Sequence, residues 1–222
     1  MNIFKYYIKF ISLILFFTVY FLPLKAKNLD NFQKGNYISD YFSGILSLNE
    51  NQYDQSYNYF RKLDGLESAH PNFSVKYLYS LVNLGKFNDA YFFSKKLEKK
   101  NLNNFESDLI IGLYYLKNEK LDLALKHFLK IKSKKVNIPI NDFIIHSLIN
   151  WTSFNKISLD EAERKIQEID SRFENLKKIQ STFLYCFYDN ENTDVIFKKL
   201  ISDEETDFSR YNYFYAKFLV RS

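Results

Sequence analysis

The chain has 222 residues, 46% of them hydrophobic, with 31 basic and 26 acidic residues. This length fits one or two domains with a buried core, and 5 Gly and 3 Pro are few for a protein built from many short strands. Cys186 is the single cysteine, so no intrachain disulfide can form and helix packing must supply the stability.

Residues 1–26 have the layout of a secretory signal peptide. Lys5 and Lys9 form a basic start, a 15-residue uncharged run follows from Phe10 to Leu24, and the small Ala26 precedes the expected cleavage point. The alternative is an uncleaved anchor, although 15 residues are fewer than the roughly 20 that span a bilayer. We expect an exported protein, with inner-membrane association only if this segment is retained.

Export makes the chain almost neutral. Removing Lys5, Lys9 and Lys25 leaves 28 basic and 26 acidic residues, a net charge of +2. Strong non-specific attraction to nucleic acid needs a larger excess, so no nucleic-acid partner is expected. Two basic clusters, within residues 95–100 and 130–135, fall at predicted helix ends, where lysines complement the helix dipole and meet solvent.

A repeated pattern follows residues 27–37, which we interpret as a polar linker. Ser56, Ala90 and Ala124 stand 34 residues apart, each with apolar or aromatic residues at helical offsets. Gly44, Leu78 and Gly112 lie twelve residues before them, and a glycine there predicts a close helix crossing. The pattern predicts three helix pairs, in repeats 38–71, 72–104 and 105–139: Ile38–Asn49 with Tyr53–Leu63, Phe73–Leu84 with Phe87–Lys99, and Phe105–Lys117 with Leu121–Ile131. Gly85 is expected to end its helix as a glycine cap.

The pattern weakens over residues 140–222. A fourth pair is predicted from Asp142 to Phe154 and onward from Ser158, which would cap its helix while Glu161 bonds back. A fifth pair is predicted over 173–188 and 195–201, and a lone helix over 211–220.

The chain resembles the tetratricopeptide repeat (TPR) family, whose units are 34-residue helix-turn-helix pairs. The matching residues are Gly44, Tyr53, Ser56, Phe60, Leu63, Gly85, Phe87, Ala90, Leu97, Gly112, Tyr115, Leu121, Ala124, Phe128 and Ile131. The departures are Ser47, Leu78 and Ser94, together with a closing Pro displaced to Pro71 and Pro139. The resemblance implies an all-α class and an α-solenoid of about five units plus a last helix spanning 38–222.

The resemblance extends in particular to the opening part of exported α-proteobacterial repeat proteins. It implies a location in the periplasm, or on the inner membrane facing it. Because those proteins are usually longer, it also implies that the chain is the front part of a larger one. The alternative is that the last helix caps the stack.

No catalytic constellation is visible in the sequence. The chain has no phosphate-binding loop, dinucleotide fingerprint, hydrolase elbow, zinc-protease helix or paired C-x-x-C. His70, His127 and His146 lie in different repeats without a second ligand at metal spacing, and the acidic run 203–205 is interpreted as a solvated loop. We therefore expect no catalytic, cofactor-binding or metal site.

The resemblance implies a groove lined by the first helix of each pair. Carried over by position, the groove residues are Tyr41, Ile45, Asn49, Val75, Tyr79, Asn83, Leu109, Leu113 and Lys117. The amide and ammonium groups would bond a peptide backbone and the tyrosines would supply flat contact area. The alternative is that these side chains pack against the neighbouring repeat.

Three hypotheses for function follow. The first is an exported, non-enzymatic scaffold that binds a protein or peptide in the periplasm or cell envelope. The second is the helical support of a longer envelope enzyme acting on peptidoglycan or polysaccharide, with its catalytic part outside this chain. The third is an assembly factor anchored in the inner membrane.

Overall fold

A computed structural model describes residues 31–133, 138–204 and 206–221 of the chain. These residues form α-helices joined by turns and short 3-10 segments, and no strand occurs among them. The helices are α1 (Asn31–Asn49), α2 (Tyr53–Phe60), α3 (Pro71–Asn83), α4 (Phe87–Lys99), α5 (Phe105–Lys117), α6 (Leu121–Lys132), α7 (Pro139–Trp151), α8 (Leu159–Gln167), α9 (Glu174–Phe187), α10 (Thr193–Ile201) and α11 (Asn212–Arg221). The predicted signal peptide, residues 1–26, lies outside the described residues.

The helices stack as a one-dimensional series of pairs. Each helix packs on the next along the chain, and α3 also contacts α1 and α5. The buried side chains form successive clusters along the stack, which is typical of a solenoid, where each repeat contacts only its neighbours. Five pairs are followed by α11, whose Tyr215 and Phe218 rings stack on Phe197. The predicted all-α solenoid is confirmed.

Several predicted helix bounds need correction. Helix α1 begins at Asn31 rather than Ile38, so most of the segment read as a linker is helical; Gly35 there lowers helix propensity by only about 1 kcal/mol. Helix α2 ends at Phe60, three residues before the predicted Leu63. Helix α7 begins at Pro139 rather than Asp142, because a proline is well tolerated in the first turn, where its missing N–H costs nothing.

The helix-to-helix turns repeat with the same geometry. Gly85 has a φ of +69°, and the N–H of Lys86 donates to the Leu81 carbonyl at 2.9 Å, so the predicted glycine cap is confirmed. Asn51 and Glu119, 34 residues away on either side, have φ values of 58° and 57°. These two residues adopt the left-handed conformation without being glycine, which sequence alone did not indicate.

Each of the two glycines in the first helices of the first and third repeats lies against a phenylalanine. A Cβ added to Gly44 would lie 2.7 Å from Cδ1 of Phe60, and one added to Gly112 would lie 2.8 Å from Cδ1 of Phe128. Real Cβ atoms do not approach other atoms so closely, so both crossings depend on glycine. The close approach predicted at these positions is observed.

The second repeat reverses the sizes at these two positions. Leu78 occupies the place of the glycine and Ser94 the place of the phenylalanine, and both are buried. A large residue on the first helix and a small one on the second keep the total volume roughly constant, as core packing requires. The sequence shows both departures from the family pattern, and the structure accommodates them as a pair.

The second helix of the fourth pair, α8, begins as the sequence predicts. Ser158 Oγ accepts a hydrogen bond from the Glu161 N–H at 3.3 Å, and Ala162 is fully buried. This bond satisfies one of the free N–H groups of the first turn of α8. The predicted N-cap is therefore observed.

Lysines of the predicted basic clusters form ion pairs between elements. Lys130 Nζ lies 3.1 Å from Asp108 Oδ1, while Lys96 and Lys100 each lie 2.8 Å from Oε1 of the buried Glu67. Lys96 also pairs with Asp64. The contacts of Lys96 and Lys100 join one repeat to the next, and that of Lys130 joins the two helices of a pair. They correct the interpretation of the clusters as solvated helix ends.

The Glu67 carboxylate is held in its charged form. Burial raises the pKa of this carboxyl group, but hydrogen bonds from Lys100, Lys96 and the backbone outweigh burial and lower the pKa to about 2. Glu67 Oε2 also accepts a hydrogen bond from the Gly65 N–H at 2.9 Å. Glu67 therefore anchors the loop between α2 and α3 to the end of α4.

Candidate functional site: a cleft between the second and third repeats

A cleft of about 600 Å³ opens between α3 and α5, the first helices of the second and third repeats. Its lining residues are Val75, Leu78, Tyr79, Val82, Phe87, Asn88, Glu106, Leu109, Ile110, Leu113, Tyr114, Lys117 and Asn118. Five of the nine predicted groove residues are among them: Val75, Tyr79, Leu109, Leu113 and Lys117. Helical spacing explains the match, because residues four apart on α3 and on α5 face the same side of each helix.

The walls of the cleft are apolar and partly open to solvent. Tyr79 is 52% exposed, Leu113 41% and Phe87 59%. Isolated apolar side chains are common on surfaces, but several around one concavity mark a binding surface. A volume of this size lies within the range of sites that enclose small molecules or short peptide segments.

Charged groups flank the apolar part of the cleft. Glu106 is in the first turn of α5 and Lys117 in its last turn, which places them eleven residues or about 16 Å apart along the helix. Neither forms an ion pair within the part of the chain that the structure describes. The negative charge of Glu106 at the start of α5 and the positive charge of Lys117 at its end also complement the dipole of this helix. The cleft therefore offers one acidic end and one basic end to an occupant.

Tyrosine rings support the edges of the cleft. Tyr114 stacks on Tyr91 with ring centroids 3.7 Å apart, and Tyr79 meets Tyr53 edge to face at 6.2 Å. A hydrogen bond with Tyr115 raises the pKa of Tyr91 to about 12.

The other four predicted residues do not line this cleft. Tyr41 and Ile45 pack on the core of the first repeat, and the Tyr41 ring lies 4.9 Å from that of His70. Asn49 is exposed, and Asn83 donates its side-chain N–H to the Tyr79 carbonyl at 2.8 Å. The cleft lies between two of the three repeats over which the groove is predicted.

The structure adds lining residues that sequence reasoning missed. Val82, Ile110 and Tyr114 lie on the same two helices, one turn or one position away from the predicted face. Phe87 and Asn88 come from the start of α4 and not from a first helix. Val82 lies three residues after Tyr79 and so on the same side of α3, which the helical period could have indicated. No signal in the sequence indicated that the start of α4 lines the cleft.

The histidines lie apart from the cleft and from one another. His127 is buried, with Nδ1 3.5 Å from Asp108 Oδ1, and His146 Nδ1 is 3.9 Å from Asp142 Oδ2. Among the described residues, no group of three or more His, Cys, Asp or Glu side chains is arranged to hold a metal ion. Within the acidic run 203–205, Asp203 pairs with Lys178 at 2.7 Å, which corrects the interpretation of this residue as solvated, while Glu204 is exposed as expected. Glu205 lies outside the described residues.

Two further properties concern parts of the chain outside the cleft. Burial raises the pKa of the half-buried Cys186 thiol, which makes it a poor nucleophile. None of the helices in the described ranges has the length and hydropathy needed to cross a bilayer.

Comparison with known proteins gives structural relatives only. No family model matches the sequence, and no curated protein matches it. MamA from Desulfovibrio magneticus RS-1 superposes with a TM-score of 0.58 at 17% identity, over 75% of this chain and 93% of that chain. YrrB, described as a TPR protein with an unusual peptide-binding site, gives 0.53 at 17% identity over 71% and 81%.

A third relative, TTC0263, is a thermophilic TPR protein from Thermus thermophilus. It gives a TM-score of 0.52 at 14% identity, over 83% of this chain and 99% of that chain. At such identities the likeness concerns the fold. The described part of the chain is therefore similar in fold to tetratricopeptide repeat proteins.

Proposed function

We propose that the chain is a non-catalytic scaffold of the periplasm or cell envelope, which binds a peptide segment of a partner protein in the cleft between α3 and α5. The observation that carries this proposal is the concave apolar surface of about 600 Å³ formed by the exposed sides of two adjacent helices. Packing within the repeats gives no reason for these apolar side chains to be exposed to solvent. A surface that binds a partner needs such exposure.

The chemistry of the cleft suits a peptide. Aromatic and aliphatic side chains such as Tyr79, Phe87 and Leu113 provide the contacts that dominate interface energies. Asn88 in the lining carries an amide that can pair with a peptide backbone, and Asn118, whose side-chain N–H donates to the Tyr114 carbonyl at 2.7 Å, offers its amide oxygen as an acceptor. YrrB, a fold relative, is described as having a peptide-binding site, which supports the same class of ligand here.

The proposed location follows from the sequence of residues 1–26. The basic start, the uncharged run and Ala26 support export with cleavage, and the near-neutral mature chain suits a protein partner. N-terminal sequencing of the protein recovered from the periplasmic fraction tests this point. A chain that starts at Lys27 is expected, and an intact Met1 in the membrane fraction would support the anchored alternative.

A non-catalytic role is proposed because no catalytic motif occurs in the sequence. The cleft combines apolar walls with amides and one charge of each sign. Such a lining can position and hold a ligand, while bond-making chemistry needs an activated nucleophile or an acid–base pair. Binding is the activity that this set of side chains supports.

The test is a comparison of two double variants in affinity purification from envelope extract. Tyr79→Ala with Leu113→Ala removes the two exposed walls of the cleft, while Phe92→Ala with Leu123→Ala removes equally exposed apolar side chains from α4 and α6 outside it. We expect the first variant to lose partners that the second retains, with unchanged circular dichroism for both. Retention of every partner by the cleft variant would refute the proposal.

A further inference from the structure

Helix α1 carries a second exposed apolar surface, separate from the cleft. Ile38 is 59% exposed, Phe42 65% and Leu46 60%. Their spacing of four residues places them along one side of the helix, and we call these three residues the α1 stripe. About 12 Å of helix length is thus covered by large apolar side chains in contact with water.

The same side of the later first helices is buried against the preceding repeat. At the positions 34 and 68 residues after Leu46, Ser80 is fully buried and Tyr114 stacks on Tyr91 of α4 at 3.7 Å. Ile110, 68 residues after Phe42, packs on the core cluster of the second repeat. The α1 stripe is therefore the stacking surface of a repeat, with no earlier repeat to cover it among the described residues.

We propose that the α1 stripe binds the α1 stripe of a second copy of this chain. The stripe is symmetric about Phe42, so two α1 helices in antiparallel contact bring Phe42 against Phe42 of the partner subunit. The same rotation brings Ile38 against Leu46 of the partner subunit. A contact of one surface with itself closes as a two-fold dimer and needs no second complementary patch.

Charge distribution favours this occupant. The exposed residues beside the stripe, Asn36 and Ser39, are uncharged, and the nearby Asp40 is paired with Lys62 at 3.5 Å. The exposed Glu50 lies one turn beyond Leu46, so the antiparallel contact sets the two Glu50 carboxylates at opposite ends. Two copies can therefore approach without setting like charges against each other, which would cost several kcal/mol. In the second repeat the residue equivalent to Phe42 is Lys76, so the charge-free side is specific to α1.

The contact is small and is expected to be weak. Three side chains per subunit are far fewer than the roughly 20–30 residues a side of a standard interface, so we expect a weak dimer, with a dissociation constant on the order of 10 µM. No residue of α1 is among those that line the cleft between α3 and α5. Dimerisation is thus independent of peptide binding and leaves the cleft accessible.

Sedimentation measurements on the purified chain between about 1 and 100 µM test the dimer. We expect the mass to rise toward that of two chains over this range, and Phe42→Asp to reduce association at least tenfold. Phe92→Asp, which changes a phenylalanine that is 66% exposed on α4, is the matched control and should associate like the wild type. A monomer at every concentration would overturn the proposal, and this is the result expected if residues before Asn31 or another protein cover the stripe. A dimer that Phe42→Asp leaves intact would overturn it as well.

A cross-linking experiment keeps the test valid if Phe42→Asp fails to fold. With Cys186→Ser as the background, Phe42→Cys places one thiol on the proposed two-fold axis, and mild oxidation in intact cells with copper phenanthroline should give a covalent dimer. Phe92→Cys in the same background should give none. Equal cross-linking of the two variants, or none with Phe42→Cys, would overturn the proposal.

Discussion

The Cα of Gly44 lies against the ring of Phe60 so closely that an added Cβ would be 2.7 Å from Cδ1. The pair Gly112 and Phe128 repeats this relationship 68 residues later. In both repeats the two helices approach at a point where only a hydrogen atom fits. This contact sets how near the second helix of each pair lies to the first.

Gly44→Ala and Gly112→Ala are therefore expected to destabilise the protein. Overpacking costs about 1–3 kcal/mol, which exceeds the gain of about 1 kcal/mol from alanine's helix propensity. Gly35→Ala is the control, because no atom lies within 4 Å of the Cβ it would add, and it should be neutral or stabilising. Urea unfolding monitored by circular dichroism gives the three free energies. Equal stability of Gly44→Ala and Gly35→Ala would contradict the close-crossing explanation.

The reversed pair in the second repeat gives a coupling prediction. Leu78→Gly leaves a cavity and a flexible residue in a helix, at a cost of about 3–5 kcal/mol, and Ser94→Phe alone overpacks the core by about 1–3 kcal/mol. Together they recreate the glycine and phenylalanine of the other repeats. The double variant should lose less stability than the sum of the single changes by at least about 1 kcal/mol. Strict additivity in a double-mutant cycle would show that the two positions do not share one volume.

The buried Glu67 carboxylate predicts a pH dependence of stability. Its pKa is lowered from 4.5 to about 2 in the folded state, so its contribution is fully present above about pH 4.5 and is lost as the pH falls toward 2. At about 1.4 kcal/mol per pKa unit, the shift corresponds to about 3 kcal/mol. Glu67→Gln should lower the free energy of unfolding by about that amount at pH 7, and by much less near pH 2.

The exposed Glu191→Gln serves as the control for this experiment, since it removes a carboxylate in the turn before α10. Its free energy of unfolding should follow that of the wild type at both pH values. A Glu67→Gln variant whose deficit stays constant between pH 7 and pH 2 would show that the Lys96 and Lys100 contacts do not depend on the charge of Glu67.

The repeat period was the most informative part of the sequence. The spacing of Ser56, Ala90 and Ala124 predicted α4 and α5 to the residue, because that spacing fixes both the buried side of each helix and its length. The start of α1 was harder to predict. Gly35 and Asn36 have low helix propensity, and the packed helix that follows them favours their helical conformation.

The candidate site was predictable only in part, for a similar reason. Position within a repeat identifies which side of a first helix faces the concave surface, and this placed Tyr79 and Leu113 in the cleft. Where the cleft opens depends on how far neighbouring repeats separate. The Tyr41 and Ile45 side chains fill that space in the first repeat, and the contact of Phe87 with the cleft arises from the turn before α4. Such distances follow from tertiary packing and leave no periodic signal.

The charged ends of the cleft give the last prediction, which concerns the orientation of a bound peptide. A peptide with an apolar centre and an acidic residue near Lys117 should lose affinity about three- to tenfold when Lys117 is changed to Glu, since an exposed ion pair contributes up to about 1 kcal/mol and its reversal adds repulsion. The loss should shrink at high salt, because both groups are exposed.

Fluorescence anisotropy with peptides selected from a random library against the wild-type cleft measures this effect. Lys120→Glu, a change of equal charge just beyond the end of α5 and outside the cleft lining, controls for net charge and should alter affinity much less. If both variants lose affinity equally, the attraction is a long-range effect of net charge, and Lys117 has no specific place in the bound complex. If Lys117→Glu alone weakens acidic peptides and spares neutral ones, the ammonium group lies beside the ligand and fixes the direction in which it binds.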